Sequence, residues 1–135
     1  MVIKLNNNTE IFVENIFEEE EYFNGASRRT LTCECKPDSA SVDSLNAEIS
    51  KEDNIKVIEV KKEATEITFN GDETKTEKTT VTDIYDGYVL KLKCGIENKL
   101  IQTETPDAPA VYEDRLVFKL GKRTYIEEQL KKLGL

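Results

Sequence analysis

Apolar and polar residues alternate along much of the chain, with the period of two that half-buried β-strands show. Two short β-prone runs, 2–5 and 9–14, flank Asn6-Asn7-Asn8, and this arrangement predicts an N-terminal hairpin. The run 16–23 ends at the turn signal Asn24-Gly25. The segment 29–36 predicts a half-buried strand whose two faces are Leu31, Cys33, Cys35 and Thr30, Thr32, Glu34.

The second half of the chain contains further β-prone segments. Strands are predicted at 55–61 and 65–69, and we expect the charged, threonine-rich segment 72–83 to be a solvated strand or a mobile arm. Asp86-Gly87 lies between two β-prone runs and predicts a hairpin. The strand after this turn is expected to have two distinct faces, formed by Tyr88, Leu90, Leu92, Cys94 and by Lys91, Lys93.

A proline-bearing segment is predicted to be a loop over residues 102–110. Pro106 and Pro109 each lack the backbone donor that a strand ladder needs. A last strand is predicted at 115–120, with Gly121 as its end. The loop therefore separates two strands near the C-terminus.

Two helices are predicted from spacing and capping signals. N-cap residue types at 38–41 precede Val42, Leu45 and Ile49, so a short amphipathic helix is expected up to about Ser50. A second helix is predicted at about 124–133, because Thr124 and Glu127 form the sequence pattern of a capping box. Its apolar stripe is Ile126, Leu130 and Leu133. Since so short a helix is marginal alone, we expect this stripe to pack on the sheet or on a neighbouring subunit.

These elements predict a single α+β domain over residues 1–135. About seven or eight mainly antiparallel strands are expected, arranged as a β-rich sheet, a sandwich or a barrel. One short internal helix and one C-terminal helix complete the prediction. The length of 135 residues is typical of one domain.

Charge and cysteine content narrow the expected environment. The net charge of −8, from 27 acidic and 19 basic residues, disfavours binding to nucleic acid or to an anionic membrane. The N-terminus lacks the pattern of a secretory signal, and no apolar stretch reaches the length of a membrane span. Three cysteines form no even disulfide framework. We therefore expect a cytoplasmic, non-secreted protein.

The residue types needed for common catalytic sites are missing or badly spaced. Histidine is absent, which excludes Ser-His-Asp and Cys-His catalysis. Cys33-Glu34-Cys35, with Cys94, could supply thiolates to a metal, but a structural zinc site needs four ligands at a wider spacing. We therefore expect all three cysteines to be mostly buried, reduced and metal-free.

The acidic run Glu18-Glu19-Glu20-Glu21 could in principle bind calcium. Consecutive carboxylates do not surround an ion without a loop, so a solvated charge run is the prediction. No glycine-rich phosphate loop is present, and no carboxylate pair can be singled out for glycosidase chemistry. We predict no catalytic, cofactor-binding or metal-binding residues, no small-molecule substrate and no enzymatic activity.

Four segments together resemble small structural proteins from the tail modules of bacterial siphophages and prophages. They are Ile3-Lys4-Leu5-Asn6-Asn7-Asn8-Thr9-Glu10-Ile11, Asn24-Gly25 with Ser27-Arg28-Arg29-Thr30-Leu31-Thr32, Ser41-Val42-Asp43-Ser44-Leu45 and Asp83-Ile84-Tyr85-Asp86-Gly87-Tyr88. The resemblance implies a non-enzymatic tail or baseplate component, assembled in the host cytoplasm into the virion. Its partners would be further copies of itself, other virion proteins, or both, and no site residue is carried over.

Two other classes of function stay open at this point. The negative charge permits an acidic phage-encoded inhibitor that imitates nucleic acid, although 19 basic residues dilute the acidic ones. A small enzyme would have only scattered Asp, Glu, Lys and Tyr residues to use. A nucleic-acid mimic would need one continuous negative face, whereas an assembly protein needs surfaces complementary to its partners.

Overall fold

The computed structural model describes residues 1–71 and 73–135. These contain strands β1 (Val2–Lys4), β2 (Glu10–Phe12), β3 (Asn15–Phe23), β4 (Ala26–Cys35), β5 (Val57–Asn70), β6 (Glu73–Asp86), β7 (Leu90–Gln102) and β8 (Val111–Gly121). The helices are α1 (Val42–Ile49), α2 (Glu52–Ile55) and α3 (Tyr125–Lys132). The predicted α+β class, its antiparallel pairing and its strand number are confirmed.

The strands form two four-stranded antiparallel sheets. The first sheet has the order β2-β1-β5-β6, and the second has the order β3-β4-β8-β7. Each sheet thus combines strands from both halves of the sequence. The edge strands are β2 and β6 in the first sheet and β3 and β7 in the second.

One apolar core joins the two sheets and the internal helices. It contains Ile3, Leu5, Ile11, Val13, Leu31, Cys33, Cys35, Leu45, Ile49, Ile55, Ile58, Val60, Tyr88, Leu116, Phe118 and Leu120. The alternation of β4, β5 and β8 supplies most of this core from one face of each strand, and α1 adds residues at helical spacing. Burial of these side chains is the main favourable term in folding.

The predicted N-terminal hairpin and the predicted turn at Asn24-Gly25 are both confirmed. β1 and β2 pair antiparallel around the asparagine turn, in which Asn8 has a φ of 70°. β3 and β4 pair throughout, from Asn15↔Glu34 to Phe23↔Ala26. Asn24 and Gly25 have φ values of 51° and 80°, the two positive values that a type I′ turn requires. Local turn chemistry therefore determines both hairpins.

The internal helical region is longer than predicted. α1 begins after Ser41, whose hydroxyl accepts a hydrogen bond from the Ser44 backbone at 3.0 Å. The prediction of one internal helix missed α2, a single turn that includes the buried Ile55. The sequence predicts Ile55 to begin a strand, because a single apolar residue is compatible with both the helical and the strand period.

The long β5–β6 hairpin differs from the predicted segments. The strands expected at 55–61 and 65–69 form one continuous β5, because the intervening charged residues lie in a paired ladder with β6. The segment 72–83 is a paired, exposed strand from Glu73 onward, and Asp72 lies outside the described residues.

The hairpin predicted at Asp86-Gly87 is wrong. β6 pairs with β5, and β7 pairs with β8, so residues 87–89 connect one sheet to the other. β-prone flanks and an Asp-Gly dipeptide are compatible with either connection. Which connection forms depends on β5, because β6 pairs with β5 and not with the strand that follows the Asp-Gly dipeptide.

The predicted two faces of β7 are also wrong. A register shift between Lys91 and Lys93 breaks the alternation. Lys91 lies opposite the core residue Leu120, and its ammonium donates to Asn46 on α1 at 2.8 Å. Lys93 lies opposite Lys119 on the other face. A β-bulge of this kind exchanges the faces of the residues that follow it. The loop predicted at 102–110 is confirmed as the β7–β8 connection, which spans residues 103–110. β8 ends at Gly121 as predicted but begins at Val111, before the predicted start at residue 115.

Candidate interaction surface

The distal part of the β5–β6 hairpin extends beyond the rest of its sheet. β1 pairs with β5 only as far as Lys61, which lies opposite Val2. Beyond this point β5 and β6 pair only with each other among the described strands. We call residues 62–70 and 73–81 the β5–β6 arm. Its two strands both have free hydrogen-bonding edges, which are the groups that can add a further strand.

Apolar side chains near the tip of the β5–β6 arm are exposed. Ile67 lies opposite Thr76, and Phe69 lies opposite Thr74, on one face of the ladder. Phe69 is 77% exposed. Large apolar side chains at the end of a two-stranded ladder have no sheet to pack against, and this geometry is suited to a partner surface.

A second arm is formed by β7 and β8. β4 pairs with β8 only from Leu116 to Gly121, so residues 97–102 and 111–115 form a two-stranded ladder, the β7–β8 arm. Leu100 lies opposite Tyr112 on the face that continues from the core residue Leu116. Both side chains are exposed, as is Ile96 at the base of the arm. The polar pair of Asn98 and Asp114 lies between Leu116 and this apolar pair on the same face, so Leu100 and Tyr112 form an apolar patch separate from the core.

The C-terminal helix packs through polar contacts and not through its apolar stripe. Ile126, Leu130 and Leu133 are exposed, and α3 contains no buried residue. The prediction that this stripe packs on the chain's own sheet is therefore wrong. The alternative, a neighbouring subunit, stays a prediction. The predicted capping box is confirmed, because Thr124 and Glu127 exchange both hydrogen bonds.

Arg28 is the main attachment point of α3. Its side chain is only 1% exposed, and both terminal nitrogens donate to the carboxylate of Glu127, at 2.6 and 3.2 Å. The remaining guanidinium donors bind the carbonyl oxygens of Phe23, Asn24 and Lys122. A buried arginine is tolerated here because every donor has an acceptor. The hydrogen bonds from Arg28, and then that from the Thr124 backbone, lower the pKa of Glu127 to about 2.

A second ion-pair group joins α3 to α2. Arg123 and Lys131 both donate to Oε1 of Glu52, at 2.8 and 2.6 Å. These two hydrogen bonds lower the pKa of Glu52 to about 2. The helix is therefore tied to the domain at both ends, and its apolar stripe is presented to the outside in a defined position.

The acidic run does not form a calcium site. Strand pleating places Glu18 and Glu21 on opposite faces of β3. Glu18 accepts a hydrogen bond of 2.6 Å from the buried Tyr88 hydroxyl, and Glu21 binds Lys119 at 2.7 Å. The prediction that all four glutamates face water is thus wrong for Glu21, which is half-buried, whereas Glu18, Glu19 and Glu20 are exposed. Burial, followed by the hydrogen bond to Glu18, raises the pKa of Tyr88.

The cysteines occupy core positions, in agreement with the prediction of burial for two of them. Cys33 and Cys35 are fully buried, whereas Cys94 is only half-buried, and all three are free thiols. Phe118 lies between Cys33 and Cys94 in the ladder of the second sheet. Burial raises the pKa of all three thiols, that of Cys35 to about 12.

The described residues bring together few groups that could perform chemistry. Among them, no cluster of three or more acidic or cysteine side chains is arranged to hold a metal ion. Two open clefts of about 430 and 560 Å³ share Met1 and Phe12 as lining residues. The larger is lined also by Lys61, Lys62 and Glu63, at the base of the β5–β6 arm. Neither cleft contains a nucleophile hydrogen-bonded to a base, which is the arrangement that covalent catalysis needs.

The features missed by sequence reasoning are the two arms and the Arg28 contact. Alternation in 65–69 predicted a strand but could not show that the neighbouring strand β1 ends earlier, and residues 111–114 were not predicted to be part of a strand. Arg28 shares the parity of Thr30, the face away from the core, and only the position of α3 makes it buried.

In the described part of the chain, no helix is both long and apolar enough to cross a membrane. Compared with protein-family models, curated proteins and solved structures, the chain matches none of them significantly.

Proposed function

We propose that this chain is a non-enzymatic structural or assembly protein of a phage or prophage tail or baseplate. It acts by protein–protein association, with further copies of itself, with other virion proteins, or with both. The observation that carries the proposal is the pair of two-stranded arms whose apolar side chains are exposed. The assignment to a virion comes from the resemblance of four sequence segments to tail-module proteins.

The arms support association for two physical reasons. Ile67, Phe69, Leu100 and Tyr112 present apolar surface whose transfer from water to a partner would be favourable. The free edges of β6 and β7 add backbone donors and acceptors that can pair with an incoming strand. Aromatic side chains surrounded by polar ones are also the typical anchors of protein interfaces.

The acidic surface supports a nucleic-acid mimic less well. Many carboxylates lie in ion pairs within the chain, including those of Glu18, Glu21, Glu34, Glu52 and Glu127. A lysine or arginine beside each of these carboxylates reduces the negative potential that a mimic must present. We therefore place association with virion proteins first.

The test is binding to the products of neighbouring genes. The full chain is mixed with each candidate tail or baseplate protein, and complex formation is measured by light scattering and by sedimentation. Particles from the source phage or prophage are examined in parallel by mass spectrometry for this chain. Binding to a virion protein and presence in particles support the proposal. A chain that is absent from particles and instead inhibits a nucleic-acid enzyme in a salt-sensitive way contradicts it.

Matched aromatic variants locate the surface. Phe69→Ser removes an arm side chain that is 77% exposed, and Tyr125→Ser removes an α3 side chain that is 78% exposed. Equal exposure gives both variants a similarly small effect on folding. We expect Phe69→Ser to weaken partner binding and Tyr125→Ser to leave it unchanged.

A further inference from the structure

The β6 edge is the best suited of the four sheet edges to pair with another strand. β2 has only three residues. β3 carries Glu18 to Glu21 in succession, so full-length pairing of two β3 strands places glutamates opposite each other. β7 has two register shifts, which interrupt a continuous ladder. β6 pairs with β5 over its whole length of 14 residues without a register shift.

Symmetry restricts how two β6 strands can meet. When two antiparallel strands are related by a two-fold axis perpendicular to the sheet, the same face of each strand lies on the same side of the joined sheet. A residue must therefore lie opposite one of the same parity, and one residue lies opposite its own copy at the axis. Each possible register is thus defined by the residue at the axis.

Charge and the length of the overlap together select one of these registers. An axis at Glu77 or Lys78 places like charges directly opposite each other, and an axis at Thr80 places Glu77 opposite Asp83. An axis at Val81 forms no opposite-charge pair. An axis at Thr76 overlaps only residues 73–79, and an axis at Thr82 overlaps only residues 78–86.

The axis at Thr79 is complementary over residues 73–85. It places Lys75 of each copy opposite Asp83 of the other, and no directly opposite pair in this range has like charges. Asp83 already has Lys62 of its own chain 3.4 Å away and is still about half exposed, so a second cation can approach it. On the face that does not carry Lys75 and Asp83, Ile84 of one copy lies opposite Thr74 of the second copy. Thr74 in turn lies opposite Phe69 of its own chain, the second copy.

We propose that two copies of this chain pair through their β6 strands, antiparallel, about a two-fold axis at Thr79. The first sheet of each copy thereby joins that of the other in one continuous eight-stranded sheet, in the order β2-β1-β5-β6-β6-β5-β1-β2. The pairing satisfies the free backbone groups of both edges and brings exposed Ile84 and Phe69 onto one surface. This inference deepens the proposed function, since it specifies one of the associations on which that function rests.

Charge variants at the axis test the register directly. Thr79→Lys and Thr79→Glu each place like charges at the axis, and we expect each variant to dimerise about tenfold more weakly than the natural chain. An equimolar mixture of the two should recover a mixed dimer, because a lysine then lies opposite a glutamate. Thr76→Lys and Thr76→Glu are the controls, since residue 76 lies opposite Thr82 and no like-charge pair arises. Sedimentation across a concentration series gives the dissociation constants.

Cross-linking provides a second measurement, which reports directly which residues of the two copies face each other. In the full chain, Thr79→Cys should form an intermolecular disulfide under mild oxidation, whereas Thr76→Cys should not, because it does not lie opposite itself. A natural chain that stays monomeric at every concentration, or a dimer that both Thr79 charge variants leave intact, overturns the inference. A dimer formed through β5 or β7 would be left intact by both Thr79 charge variants.

Failure of this inference is separable from failure of the proposed function. If the Thr79 variants still bind virion proteins while no β6 dimer forms, the dimer is excluded and the assembly role stands. If the dimer forms as described but no virion protein binds and particles lack the chain, the assembly role falls and the dimer stands.

Discussion

The guanidinium of Arg28 and the carboxylate of Glu127 form a two-point ion pair between residues 99 positions apart in the sequence. The pair attaches the C-terminal helix to the first residues of β4, close to the turn at Asn24-Gly25. Glu127 also caps the same helix through its bond to the Thr124 backbone. One carboxylate thus begins the helix and determines where it packs.

Replacing Arg28 with lysine should therefore destabilise the protein. Lysine has three donors and no planar fork, so it cannot replace both Glu127 contacts and the three carbonyl contacts. We expect a loss of about 2–4 kcal/mol in the free energy of unfolding, measured by urea denaturation. Arg29→Lys is the matched control, because Arg29 is partly exposed and its contact to Glu18 is 3.6 Å long. Equal effects of the two variants would contradict the role of Arg28.

Acid should loosen the attachment of α3. The pKa values of Glu52 and Glu127 are lowered to about 2, so their stabilisation is complete above the unfolded value of about 4.3 and decreases as the pH falls towards 2. More than a third of each side chain is exposed, and solvent screening limits each contribution to about 1 kcal/mol or less. Thermal melts at several pH values should show a shallower decrease below pH 4.3 for the Glu52→Gln/Glu127→Gln variant than for the natural chain. If the melting temperature decreased with pH equally in both proteins, Glu52 and Glu127 would not be the source of the acid sensitivity.

Gly121→Ala should be destabilising for a steric reason. A Cβ atom at residue 121 would lie 2.8 Å from Cδ1 of Leu92 and 3.1 Å from Cδ of Arg28. Arg28 is held in place by its hydrogen bonds and the Leu92 side chain must shift, so we expect a cost of about 1–3 kcal/mol. Gly95→Ala is the control, since nothing lies within 4 Å of its added Cβ. Calorimetry should show a lower melting temperature for Gly121→Ala only.

The thiols should differ in reactivity. Burial raises the pKa of Cys33 and Cys35 and removes them from solvent, whereas Cys94 is half-buried. In the native protein at pH 8, a thiol reagent should label Cys94 first and the other two only after denaturant is added. Peptide mass spectrometry identifies the labelled residue. Rapid labelling of Cys33 without denaturant, or stoichiometric zinc in the purified protein, would contradict the core assignment.

Leu130→Ala should have little effect on the monomer. Leu130 is 42% exposed, so its truncation opens no cavity, and we expect a change below about 1 kcal/mol instead of the 2–5 kcal/mol of a buried leucine. Melting curves at low protein concentration measure this change in the stability of the monomer. A large loss of stability there would show that the α3 stripe is covered within the chain.

Local features of this fold could be predicted from the sequence. The turn at Asn24-Gly25, the Thr124–Glu127 capping box and the alternation that buries Leu31, Cys33 and Cys35 were all predicted correctly. Each depends on residues within a few positions of one another. Backbone sterics and short-range hydrogen bonds determine such features almost independently of the rest of the chain.

The tertiary structure alone decided which surfaces are exposed. Asp86-Gly87 connects two sheets because β6 pairs with β5, and the α3 stripe is exposed because Arg28 and Glu52 attach the helix by its polar side. The free edges of the arms arise where β1 and β4 end. The sequence by itself thus determined the strands, turns and helix caps, whose causes are local. Strand partners, the bulge in β7 and the candidate interaction surface depend on contacts between residues far apart in the chain, and those contacts exist only after the sheets have assembled.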